Sequence, residues 1–184
     1  MIHLVLGGAR SGKSRFAENL AKGFKGGKTY VATAEPFDDE MRERIGFHKM
    51  QRAGQGWETV ESSLEPAAAL TGKGLILVDC ITVWIGNLLH HERPVRERVL
   101  DFIDKAKTFK GVLVIVSNEV GLGIIPETQL GRRFRDIAGW ANQEIARAAD
   151  DVTFIASGLP LVLKKSRRAK PQRRKAASSR ARKA

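Results

Sequence analysis

The chain has 184 residues, room for one domain with a full core, and its 32 Lys and Arg against 20 Asp and Glu give a net charge of +12. That excess is local: residues 164–184 hold 11 of the basic residues and no acid, and removing them leaves 21 basic against 20 acidic, so a uniformly basic, polyanion-coating body is excluded. The single cysteine, Cys80, excludes an intrachain disulfide and a cysteine metal cluster, and no apolar run approaches the roughly 20 residues of a membrane span, so a soluble cytoplasmic protein is expected.

In chain order, Ile2 to Leu6 reads as a short buried strand and runs into GGARSGKSR, from which a helix is expected over about Gly12 to Lys22, with Phe16 and Leu20 at helical spacing. Lys28 to Ala34 is β-branched and aromatic and predicts a second strand; Pro36 and the acids Asp38, Asp39 and Glu40 then announce a helix N-terminus. Trp57 to Glu61 reads as a short extended piece and Leu64 to Leu70 as a short helix ended by Gly72. Gly74 to Cys80 is another apolar strand, ending in Asp79. Helices follow over Thr82 to His91 and Pro94 to Phe109, the latter with Val95, Val99, Phe102, Ile103 and Ala106 on one face. Val112 to Asn118 is a strand opening onto EVGLGIIPETQ; the helix from Leu130 to Ala149 turns Phe134, Ile137, Ala138, Ala141, Ile145 and Ala148 inward. Asp151 to Ser157 is a further strand, and Leu161 to Leu163 an edge piece.

Alternating strands and helices, with strands apolar on both faces, predict an α/β fold: a parallel sheet with helices on both faces, of the phosphate-loop NTPase type. Such a sheet gathers ligands at the carboxyl ends of its strands, which here carry Gly7 to Lys13, Ala32 to Glu35, Asp79 and Ser117 to Glu119. The domain is bounded at residues 1–164. Residues 165–184 form a basic tail whose only apolar residue type is alanine, too little to offset its ordering entropy, so disorder is expected there. The tail reads either as an arm for polyanions or as a solvated extension without a specific partner, and the second reading is favoured, with no specific nucleic acid expected.

The pattern Gly7, four residues, Gly12-Lys13-Ser14 between a strand and a helix is the phosphate loop. Its glycines turn the backbone tightly and present N–H groups to phosphate, Lys13 brings a cation to the outer phosphates, and Ser14 offers a hydroxyl to a magnesium ion at the positive end of the helix. Asp79, at a strand tip, reads as the carboxylate of the same magnesium shell or as the N-cap of the following helix. Arg44, His48 and Arg52 stand at successive i, i+4 steps, a stripe that a phosphate chain can bridge; by spacing alone, though, the favoured reading of His48 is a polar residue on a solvated face.

Beyond these motifs, GGARSGKSRFAE, YVATAEPFDDEMRERIGFHKMQR, WETVE, LVDCITVWIGNLL, VSNEVGLGIIPETQLGRRFRDIAGWANQEIARAAD and SGLPLVLK, spanning residues 2–164, resemble the bifunctional adenosylcobinamide kinase and adenosylcobinamide-phosphate guanylyltransferase family of cobalamin biosynthesis. The resemblance implies that adenosylcobinamide takes the terminal phosphoryl of ATP or GTP, and that GMP is then transferred from GTP through a guanylylated histidine, matched here by His48, giving adenosylcobinamide-GDP and pyrophosphate. By the same matching, nucleotide contacts fall on Gly8, Ala9, Arg10, Ser11, Gly12, Lys13, Ser14 and Arg15, on Ala32, Thr33 and Ala34, on Lys49, Met50, Gln51 and Arg52, and on Glu61 and Asp79. The catalytic pair is His48 and Lys13, the metal is Mg2+ at Ser14 and Asp79, and the assembly implied is a homo-oligomer, a trimer. Two rival readings are a kinase-only enzyme for another small hydroxyl substrate and a nucleotide-binding protein that works on nucleic acid through its tail.

Overall fold

A computed structural model describes residues 1–166, apart from the side chains of Arg44, His48 and Gln51. The sheet is built from β1 (Ile2–Gly7), β2 (Lys28–Ala32), β3 (Trp57–Glu61), β4 (Leu75–Asp79), β5 (Val112–Asn118), β6 (Asp151–Ala156) and β7 (Leu159–Lys164). Its seven strands run in the order β3-β2-β4-β5-β1-β6-β7, and every pairing is parallel except that of β7 with β6. From β1 the chain thus crosses to β2 and the edge strand β3, returns inward through β4 to β5 beside β1, and then crosses to β6 on the other side, so that the parallel strands end at one common edge.

The helices are α1 (Lys13–Leu20), α2 (Asp39–Arg52), α3 (Ile81–His90), α4 (Val95–Thr108) and α5 (Gln129–Ala148). On one face of the sheet Trp84, Leu88, Phe102 and Ile145 from α3, α4 and α5 pack on Leu4, Ile76, Leu113 and Ile115. All five apolar positions expected to face inward on α4 are buried, because their i, i+3, i+4 spacing puts them in one stripe. On the other face α1 lies on β1, β4 and β5 through Ala17 and Ala21, against Val5, Leu77, Val114 and Val116. Leu20 is not part of that seam and is exposed; the alanines take it instead, since a short side chain lets the helix approach the strands closely.

Other departures from expectation sit at the margins. Strands apolar and covered on both faces describe β1, β4 and β5, but β3 and β7 are edge strands whose residues are mostly solvent-facing. Leu64 to Leu70 yields only a 3-10 turn over Pro66–Ala69, since Pro66 suits a first turn and the run is too short to propagate. β2 stops at Ala32, two residues early, as Thr33 turns inward and is wholly buried. At the other end, Lys164 donates to the carbonyls of Ala146, Arg147 and Ala149 at the end of α5, and Ser166 N–H donates to Asp151 (2.8 Å), which ties residues 164–166 to the sheet and to α5. The expectation of a disordered tail falls on 167–184, outside the described residues. No helix among the described residues is long and apolar enough to cross a membrane.

Candidate active site

The phosphate loop crosses from β1 to α1 at the carboxyl edge of the sheet, and its three glycines serve different ends. A Cβ on Gly7 would stand 2.7 Å from the Ile155 carbonyl, so this residue is glycine because a neighbouring strand passes close by. Gly12 sits at φ +92°, the left-handed conformation that starts α1 without a side-chain cap. Gly8 has open space where its Cβ would be. Ser11 N–H donates to the Gly8 carbonyl (3.3 Å), closing the turn, while Arg10 takes φ +55°. Lys13 is buried at the mouth of α1 and its Nζ donates to the Gly8 carbonyl (3.2 Å), which holds the ammonium over the loop.

Asp79, at the tip of β4, does not cap α3. The N-cap is Cys80, without a side-chain cap, and Asp79 instead accepts a hydrogen bond from the buried Tyr30 hydroxyl (2.7 Å). Burial, reinforced by that carboxylate, drives the Tyr30 phenol far above its ordinary range, so it stays protonated and remains a donor. Arg52 closes the same cluster from α2: its guanidinium lies 3.6 Å from the Tyr30 ring centroid, it is 5 % exposed, and its Nε and Nη1 lack hydrogen-bond partners among the described residues. A buried cation with unused donors beside a phosphate loop is ready to receive an anion. Thr33 braces the turn. Its hydroxyl accepts from Cys80 N–H (2.8 Å) and donates to the Cys80 carbonyl (2.9 Å), across a cis Asp79–Cys80 peptide, and Asn87 donates to the Thr33 carbonyl (2.7 Å). Burial pushes the Cys80 thiol up, which keeps it a neutral packing group and no nucleophile.

Between these two tips lies that of β5, in register with Gly7 at Asn118. Asn118 donates to Thr82 Oγ1 (2.7 Å), Asn142 donates to the Asn118 carbonyl (3.0 Å), and Ser117 donates to Asn142 (2.7 Å). This polar brace fixes the next residue, Glu119, whose N–H donates to the Gly7 carbonyl (3.0 Å). The three tips and α2 enclose a cavity of ≈ 380 Å³ lined among others by Lys13, Ser14, Tyr30, Arg52, Asp79 and Glu119.

Of the residues expected at the site, Ala9, Lys13, Ser14, Ala32, Ala34, Arg52 and Asp79 line this cavity together. Arg10, Gly12 and Arg15 open beside it on a second hollow that α2 borders through Glu40, Glu43 and Phe47. Lys49 pairs with Glu61 at a third, bounded by Ala32 and Ala34. Thr33 is a brace behind the wall, Met50 is exposed, and His48 and Gln51 are placed on α2 by their backbone alone. Tyr30 was not visible as a site residue in sequence, where an aromatic in a strand carries no mark of its partner. Glu119 carried one signal, its position just past a strand tip. His91 lies 3.0 Å from Glu35 and His3 2.9 Å from the Thr153 hydroxyl, both away from the loop. Ser14 and Asp79 supply hard oxygen donors on one cavity wall, the donor chemistry of magnesium bound jointly with substrate phosphates, and among the described residues no cluster of three or more His, Cys, Asp or Glu competes with them.

Residues 3–163 match the family model described as cobinamide kinase / cobinamide phosphate guanyltransferase. The chain belongs to this family. Its members are bifunctional enzymes, and a relative from Pseudomonas aeruginosa, the bifunctional adenosylcobalamin biosynthesis protein CobP, is 43 % identical over 173 residues, covering 89 % of this chain and 98 % of that one. The Escherichia coli protein of the same description, CobU, is 37 % identical over 183 residues, covering 89 % of this chain and all of that one. Among solved structures, a KaiC-like protein of Pyrococcus horikoshii superposes with a TM-score of 0.50 at 15 % identity, over 92 % of this chain and 83 % of that one, a likeness of fold alone.

Proposed function

We propose that this cobinamide kinase / guanyltransferase family member phosphorylates the free hydroxyl of adenosylcobinamide with ATP or GTP, then transfers GMP from GTP onto the new phosphate through a guanylylated His48, releasing pyrophosphate and adenosylcobinamide-GDP. The observation that carries the kinase half is the convergence of Lys13, Ser14, Asp79 and the partner-seeking Arg52 on one cavity. In it, loop amides and Lys13 neutralise the outer phosphates, and Arg52 offers donors to a phosphate oxygen. Ser14 and Asp79 would hold Mg2+, which when bound polarises the phosphoryl oxygens. Tyr30 aims the Asp79 carboxylate by donating to one of its oxygens.

The guanylyl half rests on α2. His48 lies in this helix between Phe47 and Lys49, which border the two hollows flanking the loop, so the helix carrying the proposed nucleophile forms a wall of the nucleotide region. A histidine nucleophile splits one difficult transfer into two easier ones. Its attack on the α-phosphorus of GTP expels pyrophosphate, and the acceptor phosphate then takes GMP. Homo-oligomeric assembly, a trimer by family resemblance, would allow this stripe to serve a nucleotide held by a neighbouring copy.

Incubation with α-labelled GTP and magnesium should leave label on the denatured protein, acid-labile and fairly base-stable as a phosphorus–nitrogen bond is, whereas γ-labelled GTP leaves none. His48→Ala should lose the label and guanylyl transfer but keep kinase activity, because phosphoryl transfer to a hydroxyl needs positioning and charge rather than this nucleophile. Label persisting in His48→Ala, or never appearing in the parent, overturns the role of His48 and favours a kinase-only enzyme.

A further inference from the structure

The kinase step needs a group that faces the acceptor hydroxyl, and the phosphate loop, the metal carboxylate and the arginine all face the nucleotide. We propose that Glu119 is that group, a catalytic residue that accepts the proton of the attacking hydroxyl; the proposal rests on the kinase half of the function above. The cavity wall carries two carboxylates, Asp79 and Glu119. Asp79 is committed, one oxygen to the Tyr30 hydroxyl and, on the function proposed above, its charge to Mg2+. Glu119 stands just past the end of β5, the strand inserted between the phosphate-loop strand β1 and the Asp79 strand β4, tied to Gly7 at the first residue of the loop.

Its local structure is built to aim a carboxylate. Below it, Ser117, Asn142, Asn118 and Thr82 form a chain of hydrogen bonds that ends in the backbone of the strand tip, so Glu119 starts from a fixed point. Above it, Gly121 N–H donates to Glu119 Oε1 (2.6 Å). A Cβ on Gly121 would stand 2.9 Å from that same oxygen, so the residue at 121 must be glycine for the carboxylate to rest there. The engaged oxygen fixes the plane of the group on the cavity wall, and the proposal gives the other, Oε2, to the acceptor. Val120 and Val83, also on the wall, give the acceptor arm an apolar flank, which fits a hydroxyl carried on a short aliphatic arm.

In the step itself, the hydroxyl oxygen forms a bond to the terminal phosphorus as the bond from that phosphorus to the bridging oxygen breaks. The electron pair leaves on the nucleoside diphosphate, and the hydroxyl proton passes to Glu119. No other reactant is required.

The test uses the full chain with Glu119→Gln and Gly121→Ala, assayed for phosphorylation of adenosylcobinamide, for label from α-labelled GTP and for thermal melting. Glu119→Gln should lower the kinase kcat by about 100-fold or more, the range of a lost general base, with nucleotide KM and label yield near the parent's. Gly121→Ala should keep the melting temperature and lower kcat by about 10-fold, since only the far end of Glu119 must move. A loss in Glu119→Gln below about 100-fold, or an equal loss of label and of melting temperature, overturns the proposal, since a catalytic base contributes at least ~100-fold to proton transfer alone. If the parent leaves adenosylcobinamide untouched, the proposed substrate is wrong. The same ratio is then read with water as the acceptor, as GTP hydrolysis, and a parent without hydrolysis ends the proposal with the substrate.

Discussion

The phosphate-loop tip and helix α2 are built in opposite ways. At the tip, β1, β4 and β5 reach the site out of a closed core, and Thr33, Thr82, Asn118 and Asn142 spend their hydrogen bonds fixing backbone turns. Helix α2 has a well-made start, with Asp38 accepting from Met41 N–H (2.7 Å), yet among its described side chains Arg52 alone is buried, while Phe47 and Met50 are exposed. The helix is therefore held at its last residue by a guanidinium stacked on Tyr30, an interaction worth about 2 kcal/mol when desolvated, where a core-facing helix would bury a stripe several times larger. Phosphoryl transfer demands rigid charge placement and is given a rigid frame; His48, which on the proposal above meets first a nucleotide and then an acceptor, sits on an element with few ties to the core.

The strongest way to break this comparison is Lys13→Ala. Because both reactions need phosphate charge compensated at the loop, kinase and guanylyl transfer should each fall by about 100-fold or more, with melting little changed. Steady-state rates for both steps beside a thermal melt decide it, and an active variant would move the nucleotide elsewhere.

A smaller and more selective effect is expected from Arg52→Met, which keeps the stem and removes the cation. Loss of a stacked, desolvated guanidinium should cost on the order of 1–2 kcal/mol at the helix end, read as faster amide exchange in α2 and about 10-fold slower guanylylation. Kinase activity should fall less. If both rates fall together, Arg52 serves the phosphates more than it anchors the helix, and the contrast between the two regions narrows.

The smallest effect lies far from both. Burial lowers the His3 pKa, outweighing the pull of Asp151, so the folded protein resists a proton that the unfolded chain takes up. Asp151 is also shifted down: burial raises it, but Ser166, Lys165 and His3 together outweigh burial. In both cases the unfolded state binds more protons on the acid side, so stability rises with pH there. For His3 the loss begins as pH falls below its ordinary value of 6.5, and for Asp151 only below 3.8. Melting temperature measured from pH 7.5 to 5 should decline in the parent and decline less in His3→Gln; parallel curves would remove His3 as the cause.

The sequence by itself determined the order of elements, the parallel sheet, the phosphate loop and the carboxylate at the tip of β4, because strand length, helical periodicity and glycine spacing are local properties that neighbouring residues enforce. It also carried the family, through a motif after β5 whose glycine and asparagines have their reasons in Glu119, Thr82 and Asn142. Only the tertiary structure decided that Asp79 takes the Tyr30 hydroxyl and caps nothing, that Arg52 is buried on the Tyr30 ring and not spread on a solvated face, that Thr33 works behind the wall, and that β3 and β7 are exposed edges. Each of these depends on which strand lies beside which. The strand order places β5 between β1 and β4, and with it Glu119 against Gly7, a meeting of residues more than 100 positions apart that no local pattern encodes.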